Sequence, residues 1–167
     1  SEITLASTYG KPNSDTAVSF FTAANFLSYG NNLSVVRSVG ALANNATDGS
    51  GVHVQIKNED DYEVNYLNGN NGNDYGPFAA RYAGTLGNSL SVYVCANTET
   101  FSTWSYKNYF TSAPTTSDFA DSVGGSDDEM HIVVVDTAGL FTGSAGSILE
   151  TYAFVSAASD ATINGVT

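Results

Sequence analysis

The chain has 167 residues with one Cys, one Met and three Pro, and seventeen acidic against five basic side chains give it a net charge of −12. That length suits one domain or a little more, and it buries roughly 70% of its unfolded surface without staples. The charge excludes the basic footprint that nucleic acid requires and sets the chain against an anionic membrane, while Cys95 alone cannot build a disulfide framework.

In chain order the first clear element is helical. Asn13, Ser14 and Asp15 offer cap oxygens, and Ala17, Phe20, Phe21, Ala24 and Leu27 recur on one helical face. The spacing predicts an amphipathic helix over residues 15–29, with Gly30 closing it in the left-handed conformation. Residues 33–39 are short and β-branched and predict a strand, on whose sheet the helix stripe should pack.

Residues 41–51 are polar and read as loop. Residues 52–57 and 62–66 each alternate apolar and polar with period two, which predicts a hairpin turned at 58–61. Residues 68–74 form the most polar loop in the chain. Residues 78–82 suggest a short helical turn begun by Pro77. Residues 90–96 read as a strand, and 97–130 as a loop-rich insertion holding the only Trp, Trp104. Residues 131–136 are nearly continuous in apolar side chains, which implies a strand buried on both faces. Within them Ile132, Val133, Val134 and Val135 make the longest aliphatic run, far short of the ~20 residues that span a bilayer. Residues 148–156 return as an alternating strand. The expected class is therefore α+β: a mixed β-sheet, the 15–29 helix on one face, and two β-hairpins at 52–66 and 131–156.

Tests for chemistry assign no catalytic, cofactor-binding or metal-binding residue. His53 and His131 both lie in predicted strands, and no Gly-x-Ser-x-Gly elbow supplies a nucleophile, so they read as structural histidines. An esterase-like use of His131 is the weakest alternative. Cys95, mid-strand between Val94 and Ala96, reads as a buried inert thiol. Asp127, Asp128, Glu129 and His131 are close in sequence, and their carboxylates suit Ca²⁺, but no EF-hand frame is present and the segment reads as a solvated loop. Residues 68–74 resemble a single fragment of a glycine-rich Ca²⁺ repeat, an architecture that needs stacked copies. Gly84-Thr85-Leu86-Gly87-Asn88 has two glycines, but no Gly-Lys-Ser/Thr of a phosphate loop follows and Gly-x-Gly-x-x-Gly is absent. The sequons at Asn32 and Asn45 read as chance in an Asn-rich chain. The acids Glu59, Asp60, Asp61 and Glu63 read as a solvated turn or, if functional, as an interface patch for a basic partner surface.

Three motifs nevertheless stand in a meaningful order. Tyr9-Gly10-Lys11-Pro12, the Phe20-Phe21 helix and Tyr29-Gly30-Asn31-Asn32-Leu33-Ser34-Val35-Val36-Arg37 form the first. Arg81-Tyr82-Ala83-Gly84-Thr85-Leu86-Gly87-Asn88-Ser89-Leu90 is the second, with Ala83 where Pro is usual. The third is Val133-Val134-Val135-Asp136, then Gly139, Thr142-Gly143, Gly146, Leu149-Glu150 and Phe154-Val155-Ser156. Together they resemble the tail sheath proteins of contractile-tailed bacteriophages. The resemblance implies a non-enzymatic subunit, without metal or cofactor, that polymerises helically around an inner tail tube and contracts by rigid-body rearrangement to drive the tube into the host envelope.

The implied partners are neighbouring copies, the tube protein, the baseplate and the tail terminator, with no direct contact to nucleic acid or membrane. The implied location is the virion tail, assembled in the host cytoplasm. Because family members run several hundred residues, residues 1–167 are expected to be one sheath-type region of a longer chain, truncated at both ends. Two alternatives carry different expectations: the sheath of a related bacterial secretion or bacteriocin device, and a secreted acidic Ca²⁺-dependent adhesion module.

Overall fold

A computed structural model describes residues 1–48, 54–67, 76 and 78–158. The chain divides into two compact units, the first made of Ser1–Leu90 and Asp136–Ser147, the second of Ser91–Val135 and the chain from Ile148 on.

The first unit opens with helix α1, Glu2–Tyr9, capped by Ser1, whose Oγ accepts from the Thr4 N–H at 3.2 Å. Helix α2, Ala17–Leu27, falls within the predicted helix, and Asn13 starts it by accepting from the Asp15 and Thr16 N–H groups at 2.9 and 3.0 Å. Two expectations for this helix are corrected. Gly30 is not left-handed: the helix closes through right-handed Ser28, and the Gly30 N–H still reaches Phe26 O at 3.0 Å. Nor is any α2 residue buried. Its stripe is half-covered, with Phe21 56% exposed, and Val18 beside it is 81% exposed.

Residues 33–39 do not form the predicted strand. β-branched side chains favour extended backbone, but a strand needs a ladder partner, and none pairs with this segment among the described residues. The partner for β1, Asn45–Thr47, is instead β2, Ala79–Ala83, in an antiparallel register that matches Asn45 to Ala83 and Thr47 to Ala79. Residues 79–82 are thus strand rather than helical turn, held by the Asn45 side chain, whose Nδ2 donates to Ala80 O at 2.7 Å. Pro77, to which the turn was credited, lies outside the described residues, as do His53 and the polar 68–74 loop.

The 52–66 hairpin is also corrected. Val54 makes an isolated antiparallel bridge to Asn45, but the returning limb is helical: α3, Glu59–Asp61, runs into a wide π-turn over Tyr62–Leu67. Asn58 caps α3 by accepting from the Asp61 N–H at 2.7 Å, and three acids occupy its first turn. Those local helix-start signals outweigh the two-residue alternation that follows. A 3₁₀ turn, Thr85–Ser89, packs against β1 and β2 so closely that a Cβ on Gly87 would lie 2.9 Å from both the Ala46 and Ala80 Cβ atoms.

The sheet of the second unit has the order β3-β4-β5, formed by Leu90–Cys95, Glu129–Asp136 and Ser147–Ser156. Strands β4 and β5 are antiparallel: Gly146 N–H donates to Asp136 O at one end and Ala157 N–H to Asp128 O at the other. The second predicted hairpin is therefore present. No residue of the predicted apolar strand is exposed, and Val133 and Val135 are 0% and 1% accessible. The described strands form two separate antiparallel sheets within an α+β fold, in place of one mixed sheet.

Residues 97–130 contain two short helices, α4 (Thr98–Phe101) and α5 (Asp118–Ser122), capped by the side chains of Asn97 and Ser117. They also bring an aromatic cluster onto β4. Phe110 stacks on the His131 ring at 4.2 Å and 4°, and Phe101 and Phe154 meet its edges at 5.7 and 4.7 Å.

Candidate functional site

In the first unit a buried polar knot joins residues 89 and 136–142. Strand β4 ends in Asp136, a fully buried acid at the head of a glycine-rich loop. One carboxylate oxygen accepts from the Ser89 hydroxyl. The other accepts from the Phe141 N–H at 3.0 Å, the Thr142 N–H at 2.8 Å and the Thr142 hydroxyl at 2.9 Å. Ser89, itself 1% accessible, ties down the rest: its Oγ accepts from the Ala138 and Leu140 N–H groups, and its carbonyl accepts from Thr137. Burial pushes the Asp136 carboxyl up, but the hydrogen bonds from Ser89, Thr142 and Phe141 outweigh it and hold the group below the ordinary carboxylate range.

Around this knot the three sequence motifs converge. Lys11 of the first motif donates its ammonium to Thr142 O of the third. Tyr9 donates its hydroxyl to Val35 O at 3.2 Å, and its ring lies 6.0 Å from that of Tyr82 in the second motif. The guanidinium carbons of Arg37 and Arg81 sit 5.7 and 5.6 Å from the Tyr82 ring centroid. No donor–acceptor–nucleophile set lies here. The donors of the knot serve the Asp136 carboxylate, the Ser89 hydroxyl and backbone carbonyls, so the arrangement fixes loops against one another.

Over 147 residues, 88% of the chain, the sequence is 35% identical to the tail sheath protein of Salmonella phage ViI. The chain is a homologue of phage tail sheath proteins. A stretch of 48 residues is 54% identical to the tail sheath protein of Vibrio phage KVP40. The matched stretches make up 21% and 7% of those two proteins, so the chain spans about a fifth of the length of the first. No family model and no solved structure matches it.

In this tail sheath homologue His131, Cys95, Asp128 and Glu129 all have structural partners. His131 is fully buried, donating from Nε2 to Ser112 O at 2.9 Å and accepting at Nδ1 from the Phe154 N–H at 3.1 Å. Both ring nitrogens are thereby spent, and Phe154, which makes the second bond, takes a positive φ of 55° inside β5. Cys95 is buried, with Sγ 3.5 Å from Asn97 O and 3.7 Å from Thr100 Oγ1.

Asp128 accepts from the Ser156 hydroxyl and from the Ser117 N–H and hydroxyl, which in that order lower its pKa to about 2. Glu129 accepts from the Thr115 N–H at 3.0 Å. These acids pin neighbouring segments, and among the described residues no group of three or more His, Cys, Asp or Glu could hold a metal ion. Thr85 to Asn88 is the 3₁₀ turn against β1 and β2. Asn45, one of the sequon residues, is buried.

Ser89, Asp136 and Lys11 were quoted within motifs but given no role by sequence reasoning. The signal for Asp136 is an acid ending a buried strand just before a Thr- and Gly-rich loop, since a buried carboxylate must collect donors nearby. Lys11 has no comparable signal, because its partner lies 131 residues away.

Proposed function

We propose that this chain is part of a contractile tail sheath subunit: a mechanical block, not an enzyme, that packs with copies of itself in a helical lattice around an inner tail tube. The observation that carries the reading is the convergence of all three sheath-like motifs on the Asp136–Ser89 knot, within a chain matched over 88% of its length by a tail sheath protein. A block that transmits force has to keep its loops in fixed register. A buried, multiply donated carboxylate does this with more directional specificity than apolar packing alone.

Contraction then proceeds as rigid-body movement of subunits between two lattice packings, driving the tube into the host envelope, with baseplate and tail terminator at the two ends. The subunit assembles in the host cytoplasm and resides in the virion tail. Negative-stain electron microscopy of the sheath-length protein containing this chain tests the reading. Regular striated tubes are expected, and a stable monomer under the same conditions overturns it.

A further inference from the structure

The five basic side chains are not used alike. Lys11 and Lys107 donate their ammonium groups to the carbonyls of Thr142 and Ser102, and Lys57 lies beside Asp61. Arg37 and Arg81 differ: both are exposed, both sit over the Tyr82 ring, and neither guanidinium has a hydrogen-bond acceptor or carboxylate among the described residues. A guanidinium held at an aromatic ring keeps in-plane N–H groups available, in the planar fork that fits carboxylates. Their separation is at most the sum of the two distances to one centroid, 5.7 and 5.6 Å, so two cations of a chain of charge −12 share one aromatic ring.

The complementary surface is on the same unit. In the 59–67 helical segment Asp61 is consumed, its oxygens accepting from the Lys57 N–H at 3.0 Å and Asn65 Nδ2 at 2.7 Å. Glu59, Asp60 and Glu63 remain exposed with no partner among the described residues, and Glu59 and Glu63 are four residues apart, which places like charges close together on one face. We infer that Arg37 and Arg81 at Tyr82 dock the Glu59–Asp60–Glu63 edge of a second copy of this chain. Two different patches of one molecule meet in such a contact, so it is head-to-tail and can propagate, which a self-complementary patch cannot. The inference rests on the self-assembly proposed above and names the surfaces that carry it.

The test is a charge-reversal cycle in the sheath-length protein, followed by sedimentation velocity and electron microscopy, with circular dichroism to verify folding. Arg37→Glu/Arg81→Glu and Glu59→Arg/Glu63→Arg should each weaken self-association about tenfold or more. All four changes together should restore it. As a charge control, Arg37→Glu/Arg81→Glu combined with Asp118→Lys/Asp121→Lys has the same net charge as the restored protein and should stay weak. If reversal at the arginines disturbs folding, Arg37→Gln/Arg81→Gln takes its place, with a smaller loss in the same direction. Tubes that form unchanged in every variant overturn the docking contact and leave the sheath reading standing. Oligomers that obey the cycle but never become tubes do the opposite. A wild-type protein that stays monomeric overturns both.

Discussion

Asp136 shows how one side chain sets the geometry of a loop. Its carboxylate accepts from Ser89, Phe141 and Thr142, and removing it leaves the buried Ser89 hydroxyl and the part-buried Phe141 and Thr142 N–H groups without their acceptor. Asp136→Ala is expected to destabilise the first unit by about 3 kcal/mol, the scale for losing charge-assisted hydrogen bonds and orphaning their donors. Urea unfolding followed by circular dichroism checks this, and a change in midpoint under a tenth of the wild-type value would be too small for the role. Asp128 gives a pH prediction. Its pKa is lowered to about 2 from an ordinary value of about 3.9, so its stabilisation is complete above the unfolded pKa and is lost as pH falls through the folded one. The melting temperature should therefore drop between about pH 4 and pH 2, and Asp128→Asn should flatten that part of the profile while lowering stability at neutral pH. An unchanged slope in the variant would assign the acid sensitivity elsewhere, with Asp136 the next group of the same sign.

At the scale of elements, what the sequence reveals depends on where each signal originates. Helix α2 and strands β3, β4 and β5 are legible because their apolar patterns run over several residues, although only β4 meets the burial its pattern implies. Residues 62–66 mislead because their alternation is genuine, yet an Asn58 cap and a run of acids just upstream favour helix more strongly. Residues 79–82 mislead in the other direction: Ala-rich sequence becomes strand because Asn45 and β1 supply the partner. Non-local pairing of that kind leaves no mark in a short window. The same holds for the knot, where Ser89 and Asp136 are 47 residues apart.

Two predictions belong at this scale. Gly87→Ala must push its methyl into the Ala46 and Ala80 Cβ atoms at 2.9 Å, an overpacking that costs about 1–3 kcal/mol. Thermal melting of the variant checks it, and an unchanged melting temperature would mean that the 3₁₀ turn does not press on β1 and β2. The amides of residues 34–39, without a ladder partner, should exchange with solvent far faster than those of Val133 and Val135 in hydrogen-exchange measurements on the isolated chain. Comparable protection in both segments would mean that 33–39 is a paired strand after all.

Across the 167 residues the net charge and the local ionic contact have opposing consequences. Copies carrying −12 repel at long range, and this repulsion reaches about 30 Å at 0.01 M salt and about 10 Å at 0.1 M. An arginine–carboxylate contact acts over a few ångströms and is screened less in that interval. Raising salt across it should therefore promote self-association, the reverse of what a contact driven by long-range attraction would do. Arg37→Glu/Arg81→Glu removes two positive and adds two negative charges, so its association should be weaker at every salt concentration and rise more steeply as salt is added. Static light scattering against sodium chloride measures both curves. If wild-type association falls steadily over the same range, ionic attraction between copies outweighs their net repulsion.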